Sequence, residues 1–166
     1  MTSEIKSGAT YTTEVVAPDG TVSQCSVEHN KVPIEGLNHM AAAIFKSGAQ
    51  VGTWYIAPFE GDFTPTDDDK AATIAAAAQE STAYSAAARL EFVEGAVNSG
   101  AVDNSANKAE FLFNAPKVIR GVFLVSASPK GANTGTLISV VRFLSPKNVD
   151  AGSTLRVVAG FAFASV

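Results

Sequence analysis

Cysteine is almost missing from this 166-residue chain: Cys25 stands alone, so no disulfide can form within it. No His or Lys adjoins it to lower its pKa, which makes it an inert thiol. Histidine is nearly as scarce. His29 and His39, even with Cys25, give too few soft ligands for a structural zinc site. Charged residues make up only 17%, and the twelve Lys and Arg are spread singly from Lys6 to Arg156 at a net charge of −4. With no basic cluster there is no electrostatic footprint for nucleic acid. No apolar run approaches the roughly 20 residues of a membrane-spanning helix. Residues 1–9 lack the apolar stretch of a secretion signal, so cytoplasmic synthesis is the expected default.

Chemistry-bearing motifs are equally thin. Neither G-x-x-x-x-G-K nor G-x-G-x-x-G nor G-x-S-x-G occurs, and Ser128–Thr136 resembles a phosphate cradle only in composition. Asp67, Asp68 and Asp69 form the one acidic run. Three consecutive carboxylates in a loop cannot all turn inward on a calcium ion, and the run reads as a solvated loop. Glu91 and Glu94 have no signature of a paired acid and base around them. The expectation is a protein without catalytic residues, metal or cofactor.

What the chain does have is alternation. In Ser153–Ala164, Leu155, Val157, Ala159, Phe161 and Phe163 share one parity, the period of two that a strand on a packed sheet needs. Tyr11–Ala17 and Thr21–Glu28 are β-prone runs around Ala17-Pro18-Asp19-Gly20, where Pro presets the turn and Gly accepts positive φ. This predicts a hairpin. It is polar on both faces, and isolated hairpins are marginal in water, so it is expected along the body's edge or against another molecule, after a polar tail at residues 1–9.

Leu37, Met40, Ala41, Ile44 and Phe45 then repeat as one helical stripe, predicting a short helix over 37–47 packed on a sheet, with Gly48 as its left-handed cap. Val51–Phe59 reads as a buried strand. Ala71–Ala88 reads as a surface excursion with at most one short helix, since Thr73, Ser81, Thr82 and Ser85 interrupt any apolar stripe. Strands follow over 88–92, 108–114, 118–125 and 137–144, with connectors at 97–107 and 126–136 and a turn over 146–152. Val118–Val125 is nearly continuous in apolar residues, as a strand covered on both faces would be. About eight strands with one firm helix predict an all-β, jelly-roll-like β-sandwich. Residues 1–30 form a tail and hairpin arm, and residues 31–166 a single sandwich domain.

Sparse charge fits either a soluble domain rich in small residues or a surface partly covered by neighbours. Of the aromatics, Trp54 and Tyr55 fall on opposite faces of a strand, one for the core and the other free for a contact, such as stacking on a sugar ring.

Asn38-His39-Met40, Gly52-Thr53-Trp54-Tyr55-Ile56-Ala57-Pro58-Phe59-Glu60-Gly61, Glu80-Ser81-Thr82-Ala83-Tyr84, Gly95-Ala96-Val97 and Val102-Asp103-Asn104-Ser105-Ala106 together resemble small virion proteins of tailed bacteriophages. The closing Phe143-Leu144-Ser145-Pro146 and Val149–Val157 add to the likeness, which spans residues 27–166 and leaves the first 26 unmatched. The resemblance implies a capsid decoration, or cement, protein. Such a protein forms a dimer or trimer on the outer capsid surface of the virion and staples neighbouring subunits of the major capsid protein. Similar sequences also occur in tail and fibre components, which gives the alternative of a receptor- or carbohydrate-binding module. Partner contacts are expected from Tyr11, Val15, Val16 and Val22 in the arm, from Tyr84 in the excursion, and from Trp54.

Overall fold

Alternating sequence becomes antiparallel pairing throughout the computed structural model, which describes residues 5–165. In chain order the strands are β1 (Ile5–Val16), β2 (Val22–His29), β3 (Tyr55–Phe59), β4 (Leu90–Glu91), β5 (Ala101–Asp103), β6 (Ala109–Leu112), β7 (Lys117–Val125), β8 (Leu137–Val149) and β9 (Thr154–Ser165). Helix α1 (Ile34–Phe45) lies between β2 and β3, and α2 (Ala71–Ala77) between β3 and β4. One sheet runs β2-β1-β9, with β5 and β6 sharing the far edge of β9; the other runs β4-β3-β7-β8. The protein is an all-β sandwich of two antiparallel sheets.

The period of two sets the core. Tyr11, Val15, Leu155 and Val157 point from the first sheet toward Ile56, Val122, Leu124 and Val141 of the second. On β7 the opposite parity, Phe123 and Val125, packs with Phe59, Ile74 and Val140 in a second cluster roofed by α2. β7 is therefore covered on both faces, as its continuous apolar run requires. Between them lies Gly121, where a Cβ would collide with the Phe59 ring and the Val141 carbonyl; only glycine fits this approach.

The excursion at 71–88 contains the single short helix expected, but α2 is not a surface feature: Ala71, Ile74 and Ala78 are buried in the second cluster. Of the expected polar tail, residues 1–4 lie outside the described residues, and Ile5–Ala9 form the first part of β1, paired with the end of β9. The hairpin is likewise not a separate arm. β1 pairs with β9 from Ile5↔Ser165 to Val16↔Thr154 and lies inside the sheet, leaving β2 at its edge. The connector expected over 97–107 holds β5, a three-residue strand too short for periodicity to mark. After β5, Asn104 stands in for a strand residue: its N–H donates to the Ala159 carbonyl and its Oδ1 accepts from the Ala159 N–H at 2.8 Å.

The turn expected at 146–152 starts later, because β8 continues through Pro146 to Val149. Residues 143–146 bulge out opposite Arg120, between the pairs Gly121↔Arg142 and Ile119↔Lys147, so Pro146 costs no ladder bond. Beyond the bulge, β2 closes against β8. Gln24, at a left-handed φ of 52°, sits in a β2 bulge and exchanges two 2.8 Å bonds with the Asn148 backbone through its carboxamide. The Lys147 ammonium, almost fully buried, donates to the Gln24 carbonyl and the Ser26 hydroxyl, and burial lowers its pKa. Earlier on the same edge, Lys31 and Val140 exchange backbone bonds. The long side of the sandwich is thereby shut.

Candidate functional site

Helix α1 forms where the apolar stripe predicts it, three residues earlier than expected at its start. Its left-handed exit is taken by Ser47, at φ 50°, while the Gly48 N–H reaches the Ala42 carbonyl. What seats the helix is a glycine rather than the stripe. Gly36 lies so close to β8 that a Cβ would stand 3.0 Å from the Ile138 Cα, and it is the one fully buried residue of α1. Beside it, the Glu35 carboxylate accepts from the N–H of Leu137 at 2.7 Å and of Ala71 at 2.9 Å, the first residues of β8 and α2. Glu35 thus satisfies an N–H that a helix start leaves unpaired.

This seating turns most of the stripe outward. Met40 packs on the core, but Leu37 is 43% exposed, Ile44 64% and Phe45 82%. Exposed Val97 and Phe163, from the 92–102 segment and the end of β9, stand across from the helix. Between these walls is an apolar cleft of about 390 Å³ floored by Leu124 and Ile138. Trp54 lines it, half-buried, with its ring edge-on to His39 at 5.6 Å. Phe92 and Phe161 meet edge to face at 6.0 Å in the same wall. Its polar lining residues are His39, Gln50 and Glu94. Such a surface favours burial of apolar groups from another molecule over proton or electron chemistry.

Only part of the expected contact set is at the surface. Trp54 lines the cleft, Val22 is 47% exposed on β2 and Val16 is half-buried. Tyr11, Val15 and Tyr84 are core residues and cannot touch a partner. Tyr11 lies between two sheets because β1 is an inner strand; its hydroxyl donates to Ser139 Oγ at 2.8 Å, and the Asn30 Nδ2 donates to the same oxygen. Burial raises the Tyr11 phenol above its ordinary range. The Tyr84 ring stacks edge-on against Phe111 and Phe113, under the Lys130 ammonium at 3.7 Å from its centroid. Its hydroxyl has no hydrogen-bond partner among the described residues, and its pKa too is raised by burial first and by Glu80 second.

A buried ion pair escaped the sequence reading, which placed Arg89 on an outward parity. Arg89 is 3% exposed and meets Glu80 through Nε–Oε1 at 2.9 Å and Nη2–Oε2 at 2.6 Å. Its remaining donors reach the carbonyls of Ala127 and Ala132, and Glu80 also accepts from the Gly131 N–H. Every charge-bearing group finds a partner, so the pair clamps the 126–136 loop to the 80–89 segment as a structural element. Among the described residues, no three His, Cys, Asp or Glu side chains converge as a metal site requires. No helix among them is long and apolar enough to cross a membrane. Comparison with protein-family models and with curated proteins finds no match for the chain.

Proposed function

We propose that this chain is a structural virion protein of a tailed bacteriophage, one that binds the outer capsid surface and staples neighbouring major capsid subunits. The observation that carries the reading is the outward apolar stripe of α1 beside the Trp54 cleft. A helix stripe and a cleft left open by their own chain are surfaces that a neighbour completes. The low charge content and the likeness of residues 27–166 to small virion proteins support it further. In mechanism, the chain acts as a dimer or trimer across a subunit boundary. Because it binds only the assembled shell, it stabilises that shell by mass action.

The test is co-sedimentation of the chain with decoration-free heads. Ile44→Asp with Phe45→Ser alters two exposed positions, so circular dichroism stays that of the native chain. Occupancy falls about tenfold or more, the equivalent of withdrawing one large apolar side chain from an interface. Heads that take up the double variant as well as the native chain overturn the reading. Binding to tails or to a glycan array instead, lost on Trp54→Ala, replaces it with the receptor-binding alternative, for which the accessible Trp54 cleft is the supporting feature.

A further inference from the structure

One stretch of sheet edge is left uncovered, and the strand register says what covers it. On β1, Ala9 turns its backbone toward β2: its carbonyl accepts from the Asn30 N–H at 3.1 Å and its N–H donates to Asn30 Oδ1 at 2.7 Å. The period of two therefore aims the N–H and C=O of Ser7 and Ile5 the same way, while Lys6 and Gly8 bond to β9. β2, however, leaves β1 at the pair Thr10↔His29. Beside Ile5–Gly8, among the described residues, no strand follows. The β8 edge is sealed by Lys31 and Gln24; this edge has neither proline nor bulge, and its register with β9 is unbroken. Alongside it runs an open groove of about 660 Å³, walled by Val32, Leu37 and Lys31 and floored in part by Ala162 and Ala164. A Cβ at Gly8 would meet nothing within 4 Å, so nothing stands in the way of a strand there.

The geometry points to β-strand addition: a short extended segment of another polypeptide pairs with Ser7 and Ile5, taking the place that β2 vacates. Backbone bonds to those two residues hold it, and its inward-facing alternate side chains, small or apolar, lie against Val32 and Leu37. A second copy of β1 fits poorly. Pairing two such strands antiparallel about Ser7 sets Ile5 of one opposite Ala9 of the other, whose edge Asn30 already fills. The inference stands on strand register and does not depend on the capsid reading.

The experiment pans a random heptapeptide phage-display library on the full-length chain and measures the enriched peptides, made synthetically, against native chain and Ser7→Pro. Proline at Ser7 removes an N–H that faces outward and spares the β9 ladder, so the variant folds, whereas Gly8→Pro breaks that ladder. The expected peptides are proline-poor with apolar residues at alternate positions, and Ser7→Pro weakens them about tenfold or more. Amide hydrogen exchange decides the matter without any variant: bound peptide protects the Ile5 and Ser7 amides and leaves those of Lys6 and Gly8, already bonded, unchanged. No enriched peptide, equal binding to Ser7→Pro, or protection elsewhere overturns the proposal. A dimer of the native chain in sedimentation that Ser7→Pro abolishes also overturns it, by giving the edge to a second copy.

Discussion

Tyr11 and Tyr84 are both buried phenols, yet they respond oppositely to loss of the hydroxyl. The Tyr11 hydroxyl bridges the sheets to Ser139, so Tyr11→Phe costs about 1 kcal/mol, an ordinary buried hydrogen bond. The Tyr84 hydroxyl is buried without a partner, so Tyr84→Phe is neutral or stabilising by up to about 1 kcal/mol. Urea melts of the two variants read the difference directly. Neither role was legible in the sequence. Ala9, Tyr11, Thr13 and Val15 do share one inward parity, but Thr13 is polar, and its burial is made tolerable only by a 3.1 Å contact with Ser26 across the hairpin. That polar inward residue is what made β1 read as an arm. Gly121 was equally silent: the ring and carbonyl that exclude a side chain there come from β3 and β8, far apart in sequence.

At the scale of elements, short-range pattern carries well and direction does not. The stripe on α1 and the alternation on β9 locate both elements within a few residues. Neither says that Phe163, on the core parity of β9, stands 47% exposed where the strand outruns the opposite sheet, nor that Gly36 turns the α1 stripe to solvent. The Arg89–Glu80 clamp joins loops that sequence could only call connectors. Glu80→Ala and Arg89→Ala each leave a buried, uncompensated charge and cost about 3–5 kcal/mol by urea denaturation. The double variant loses much less than the sum, because both substitutions delete one interaction. An additive double variant refutes the clamp.

For the whole molecule, the sandwich class was legible because it needs only strand count, turn spacing and parity. The seam between β2 and β8 was not, because it is built from Gln24 and Lys147, whose partners lie over a hundred positions away. The two buried phenols give the folded state a global signature in alkali. Their pKa values are raised, so the folded chain keeps two protons that the unfolded chain releases above about pH 10. Folding stability therefore falls as pH rises through that range. Urea midpoints of native chain and of the Tyr11→Phe, Tyr84→Phe double variant, compared between about pH 8 and 11, check this; the double variant shows the shallower decline.

Glu35 binds the first residue of α2 and the first residue of β8 from within α1. A tug on the helix is therefore shared between an inner strand ladder and a buried helix rather than bending the loops that flank it. The outward stripe behaves as a fixed handle, and whatever grips Ile44 and Phe45 moves the whole body with it.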